Sequence, residues 1–203
     1  MQKFGSVLLY AGIGCFAFAW FAEGWLPLHH LGALEIKTLS EIAPQPSEAF
    51  VELSKRYPEE FAQAFGEPTT EAFHDALRFA RDIYIGEGCW HCHSQFVRPV
   101  SNEDTRFGAV ATAAEYANEM QRPQLLGTRR VGPDLSREWK RHSVDWHLAH
   151  FFNPTDVVPS SVMPRYGWFF DGERPNRKGL ALTTYVMWLG SWTATWEAEA
   201  GRE

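Results

Sequence analysis

Cysteine is scarce in this chain: Cys15, Cys89 and Cys92 are the only three among 203 residues. That is too few for a disulfide-stapled scaffold and too few for a four-sulfur zinc or iron–sulfur centre. A basic surplus is missing too. Nineteen Lys and Arg against 25 Asp and Glu leave a formal charge of −6, the reverse of what drives affinity for nucleic acid. Alternating polar and apolar runs, the mark of half-buried strands, are absent, as are repeats and low-complexity tracts. What is present is 45% apolar and 15% aromatic residues, enough for a packed core and too apolar for a disordered chain. The length suits one domain, or a small domain with attachments.

One long apolar run exists, Phe4 to Ala22, with 19 uncharged residues. A helix needs about 20 such residues to cross a bilayer. Tyr10, Trp20, Phe21 and Trp25 lie towards its ends, where amphipathic rings settle at the interface. Lys3 and the small-residue triplet Ala17-Phe18-Ala19 also fit a cleaved secretory signal, but the run exceeds the 7–15 residues of a signal core, so an uncleaved anchor is the reading. Lys3 on the leading side and Glu23 on the trailing side retain a few residues in the cytoplasm and export the bulk. Cys15, inside the run, reads as a small apolar packing residue.

The acidic excess falls in residues 23–82, with eleven acids against five bases, while residues 83–145 balance at eight each. Between Leu26 and Glu71, five prolines punctuate short helical stretches; Ser47 is an N-cap candidate and Pro58 ends one helix or opens the next. From Thr70, Phe73, Ala76, Leu77, Ala80, Ile83 and Tyr84 recur at three- and four-residue steps and predict a helix that Gly86 and Gly88 terminate. A shorter helix is expected from Ser143 to Phe152, stopped by Asn153-Pro154, then a constrained loop over 154–168, and a last helix from about Arg177 to Trp196.

Directly after the first of these helices stands Cys89-Trp90-His91-Cys92-His93. Two thiols on one turn followed at once by His is the spacing of c-type haem attachment: the thiols reach two vinyl groups, and the imidazole reaches the iron. A thioredoxin-like redox pair would need alternating strands and helices around it, and a zinc site would need further Cys or His at finger spacing. The expected cofactor is therefore one covalent haem c, held by Cys89, Cys92 and His93.

A sixth iron ligand is sought among Met120, Met163 and Met187. Met163 is preferred, because Val162-Met163-Pro164 lies in the irregular proline-rich loop, whereas Met187 falls on the terminal helix and Met120 ends a short Ala-rich stretch. The metal ligands are then His93 and Met163. Gly132-Pro133-Asp134-Leu135 follows at about forty residues, and the Pro133 carbonyl suits the Nδ1 proton of the iron-binding histidine. Arg129 and Arg130 carry planar forks for carboxylates, which makes them haem-propionate candidates as well as ordinary surface residues. His142, His147 and His150 read as ordinary helix histidines, since no carboxylate or cysteine triad stands beside them in sequence.

These residues together resemble a known family, the membrane-anchored monohaem cytochrome c subunit of cbb3-type haem-copper oxidases. The resemblance runs through Arg81-Asp82-Ile83-Tyr84-Ile85, Glu87-Gly88-Cys89 to Cys92-His93-Ser94-Gln95, and Val97-Arg98-Pro99. It continues in Gly127-Thr128-Arg129-Arg130-Val131-Gly132-Pro133-Asp134-Leu135, in Asp145-Trp146-His147-Leu148-Ala149-His150, and in Asn153-Pro154 through Val157-Val158-Pro159 to Met163-Pro164. After Leu135 the family usually has a glycine-containing turn; here Ser136 to His142 is charged and free of glycine.

The resemblance implies an all-α chain with a single N-terminal transmembrane helix and a class I-like cytochrome c domain, with His93 and Met163 as axial ligands. The expected divisions are an anchor at residues 1–25, a periplasmic adapter at 26–70 and a monohaem cytochrome c domain at 71–203. It implies a single-pass protein of the bacterial inner membrane with the haem domain on the periplasmic side. Its role would be a non-catalytic electron-transfer subunit, taking electrons from another cytochrome c subunit or a soluble cytochrome and passing them to an integral-membrane haem-copper subunit that reduces oxygen. A related nitric oxide reductase takes electrons through the same kind of subunit, and an iron left open by Met163 would make a haem sensor instead.

Overall fold

A computed structural model describes residues 2–127 and 129–193, so the expected continuation of the last helix to Trp196 lies outside the described residues. The chain separates into two compact units, one ending at Ile36 and one beginning at Lys37. Among the described residues it is all-α apart from one two-residue hairpin.

The first unit is a single helical run. α1 (Gln2–Ala19) passes through a π-helical stretch, Trp20–Trp25, into α2 (Leu26–Gly32). The Leu26 amide bonds back to the Phe21 carbonyl, an i to i−5 step that widens the helix locally. From Phe4 to Gly32 the run is 29 residues long, apolar, and none of its most apolar window is buried within the chain, so it is long enough to cross a bilayer. Phe21, Trp25 and His29 stack in a ladder with ring centroids 5.1 and 5.2 Å apart. Cys15 is exposed on this helix.

The second unit opens with three short helices, α3 (Leu39–Ile42), α4 (Glu48–Arg56) and α5 (Pro58–Phe65). Ser47 caps α4 by accepting the Phe50 amide at 3.3 Å, and Pro58 occupies the first turn of α5, where its missing N–H costs nothing. The segment expected as an adapter supplies Leu39, Ile42, Phe50, Leu53 and Phe61 to the same core that the later helices build.

α6 (Thr70–Gly86) starts at an N-cap, Thr69, whose hydroxyl accepts the Ala72 amide. Its periodic face, Phe73 to Tyr84, is buried as the sequence pattern requires. The single turn α7 (Cys89–Cys92) and then α8 (Glu103–Phe107) follow. Next come α9 (Val144–Phe152), capped by Ser143, and α10 (Pro154–Val157), one turn inside the segment read as loop. Strands β1 (Phe170–Asp171) and β2 (Arg174–Pro175) form an antiparallel hairpin that leads into α11 (Arg177–Trp188).

α11 buries nine of its residues and packs chiefly along α6. It ends earlier than its apolar pattern suggests. Gly190, at φ +89°, breaks the winding, and a side chain there would meet the Ser136 carbonyl at 2.5 Å. The close passage of the 136–137 backbone, invisible in the periodicity, sets that end.

Candidate functional site

The site begins where α6 stops. Gly88 adopts φ +73°, a conformation open to glycine, and turns the chain so that α7 starts at Cys89. One helical turn then separates the two thiols, and the His93 amide closes it on the Cys89 carbonyl at 2.9 Å. The turn is held from behind: the Tyr84 hydroxyl donates to the His93 carbonyl, and Tyr84 packs edge-to-face on Tyr185 of α11 with centroids 5.6 Å apart. The two main helices thus converge under the motif.

A second strand of chain closes over the imidazole. The Gly132 amide donates to the Cys92 carbonyl at 3.1 Å, and the Leu135 amide to Ser94 at 3.1 Å. A Cβ on Gly132 would lie 2.3 Å from His93 Cε1, so only glycine lets the backbone run flat against the ring. His93 Nδ1 donates to the Pro133 carbonyl at 3.0 Å. A carbonyl can only accept, so the proton sits on Nδ1 and the lone pair on Nε2. Burial pushes the imidazole below its usual range, which keeps it in the neutral, metal-binding form.

These groups line a cavity of about 570 Å³, within the range of small-molecule sites. Cys89, Cys92, His93, Pro133 and Met163 all face it, together with apolar residues of α9, α11 and the 158–164 loop. Both thiols are free of any disulfide. Burial pushes the Cys89 thiol up to about 11, unlike the acidic thiols of dithiol redox motifs. Two thiols, a neutral imidazole with a free Nε2 and a thioether around one apolar cradle fit a haem.

The three methionine candidates separate clearly. Met163 sits in the irregular loop and lines the cavity; Met120 is buried in the core and Met187 packs against it, and neither lines the cavity.

The arginines lie elsewhere. Neither Arg129 nor Arg130 is among the cavity-lining residues. Arg129 is exposed. The Arg130 guanidinium donates to Glu103 Oε1 at 2.7 Å, to Asp134 Oδ2 at 2.9 Å and to the Phe96 carbonyl. Asp134, fully buried, also accepts the Phe96 amide at 2.8 Å and the Ser136 amide at 2.9 Å. This buried network pins the 96, 103 and 130–136 segments together, and with them the Pro133 carbonyl. The pairing of Glu103 with Arg130 escaped sequence reading because the two lie 27 residues apart, and Arg98 also donates to Glu103 at 3.0 Å.

The polar wall of the cavity comes from Glu138, His142, Trp146, His147 and His150. The carboxylate that the sequence did not place beside these histidines is Glu138: it accepts from His142 Nδ1 and lies 3.5 Å from His147 Nε2. The 136–142 stretch carries no helical signal, so the four-residue step from Glu138 to His142 gave no hint of pairing.

No curated protein matches the chain. A family model, the cytochrome c oxidase mono-heme subunit FixO, matches residues 71–189, more than half of the chain and all of the cavity lining. With the sequence motifs, the α-helical fold and this match in agreement, the chain belongs to the FixO family, the mono-haem cytochrome c subunit of cbb3-type cytochrome c oxidase.

Proposed function

We propose that the chain is the electron-relay subunit of its oxidase complex, binding one covalent haem c and passing single electrons to an integral-membrane haem-copper subunit. The observation that carries this reading is the convergence of Cys89, Cys92, His93 and Met163 on one apolar cavity. Cys89 and Cys92 would form the thioether links, and His93 Nε2 and Met163 Sδ would hold the iron. Bound there, haem supplies a one-electron ferrous–ferric couple.

The chain's own residues set the conditions for that couple. The Pro133 carbonyl fixes the His93 tautomer and strengthens the ring as a donor. Met163 ligation raises the potential above that of bis-histidine or open coordination. Tyr84 of α6 and Leu182 and Val186 of α11 give the cavity an apolar wall, which lowers the local dielectric around the couple. Val131 and Val162 line the cavity and are 52% and 76% exposed, an apolar rim suited to brief contact with an electron partner. The donor is another cytochrome c subunit or a soluble cytochrome.

The anchor is read at residues 1–25 and the haem domain at 71–203; of the 26–70 segment between them, the part from Lys37 onwards packs into the same core as the haem domain. The haem domain lies on the periplasmic side, a reading supported by the cation Lys3 before the apolar run and the anion Glu23 after it.

Met163 ligation is directly testable by carbon monoxide binding to the reduced full-length protein. The wild type should resist carbon monoxide, whereas Met163→Ala should bind it stoichiometrically, show a lower reduction potential and slow electron delivery within the complex. Rapid stoichiometric binding by the wild type would instead identify an open-site sensor and defeat the relay.

A further inference from the structure

We propose that Glu138, His142 and His147 form a binding site for one divalent transition cation of the Zn²⁺ class, separate from the iron ligands. One ligand atom from each of the three residues lies within 4.8 Å of the other two, so small side-chain rotations bring all three to the roughly 2.0–2.2 Å of a zinc coordination shell. Two imidazoles and one carboxylate are a donor set that Zn²⁺ and its neighbours favour. Calcium and magnesium want more oxygen, and cuprous ion wants sulfur.

The second observation is an orphaned donor atom. His147 is 3% exposed, and its Nε2 is buried without a hydrogen-bond partner. It points at Glu138 Oε1 from 3.5 Å, longer than a hydrogen bond. Glu138 is itself 4% exposed. A dication balances the carboxylate and occupies the orphaned nitrogen in one step, releasing whatever protons the three ligands carry.

The backbone holds the ligands in place. The Trp139 amide donates to the Leu189 carbonyl at 2.9 Å, and Gly190 abuts Ser136, so the end of α11 fixes the loop that carries Glu138. His142 lies one residue ahead of the Ser143 cap of α9, and Trp146 stacks on its ring at 3.9 Å. The site stands on these side chains and does not depend on the relay reading.

The test is equilibrium dialysis of the purified full-length haem protein in detergent against Zn²⁺, with metal analysis and zinc-edge X-ray absorption. One equivalent should bind, with nitrogen and oxygen scatterers at about 2.0–2.2 Å. His142→Ala and Glu138→Gln should each lower affinity by at least about 100-fold, as loss of a ligand must exceed the 10–100-fold typical of an outer partner. The control His29→Ala/His30→Ala, which removes the exposed pair on α2, should keep the equivalent. Absence of stoichiometric uptake, uptake indifferent to His142→Ala, or sulfur scatterers at about 2.3 Å would each overturn the proposal.

Discussion

At the scale of single residues, Arg130 determines more than its sequence position suggests. Glu103 and Asp134 are 2% and 0% exposed; Glu103 shares Arg130 with the Arg98 guanidinium at 3.0 Å, whereas Asp134 has Arg130 as its one cationic partner among the described residues. Removing one partner of a buried ionic group costs about 3–5 kcal/mol, because the other charge stays buried and unpaired. Arg130→Met should therefore lower unfolding stability by about that amount in denaturant titrations. Hydrogen bonds from Arg130 hold the Glu103 carboxyl down to about 2, against about 4.3 in an unfolded chain. A folded value below the unfolded one adds stability that is complete above about pH 5 and is lost as pH falls from there through 2. The Glu103 contribution should thus be constant from pH 7 to 5 and fade below it, so the difference in melting temperature between the wild type and Glu103→Gln should hold steady down to about pH 5 and shrink below it. Local chemistry made the His93–Pro133 bond legible beforehand, since a haem-binding histidine needs an acceptor. The fate of Arg130 was not legible, because nothing in the sequence marks Glu103 as its neighbour.

At the scale of elements, the helices divide by what fixes their ends. α6 was readable in its stripe from Phe73 to Tyr84 and in the glycines at its end, while its cap, Thr69, emerged only from the structure. Leu77 is fully buried on that stripe. Leu77→Ala should cost about 2–5 kcal/mol through lost burial and cavity formation, and Thr69→Ala about 1 kcal/mol through the lost cap, both measured by chemical denaturation. A reversed order of the two would mean that the cap and not the stripe holds α6. α11 was readable only in its middle, since its C-terminal limit depends on the backbone passing at Ser136. The short helices α4 and α5 had Ser47 and Pro58 to announce them, but their packing against α11 rests on contacts that no local pattern encodes.

At the scale of the whole molecule, the chain joins two solvents' worth of chemistry. The apolar first unit has a surface that water cannot satisfy, and the second unit buries its own core. A chain beginning at Lys37 should accordingly leave the membrane fraction and stay in the supernatant after ultracentrifugation without detergent. Its absorption spectrum should match that of the full-length protein. Retention of this truncated chain with membranes would place a second lipid-binding surface on the haem unit.

The widened turn at Trp20–Trp25 also constrains what can lie beside the span. Each residue of an α-helix advances about 100° around the axis, and an i to i−5 turn absorbs roughly one additional residue. Side chains after Leu26 are therefore rotated out of phase with those before Ala19. A straight companion helix whose ridges interlock with the leading half falls out of step with the trailing half. Any neighbour that grips the full length must carry a matching slip of its own, or the span is gripped along one half and left to lipid along the other.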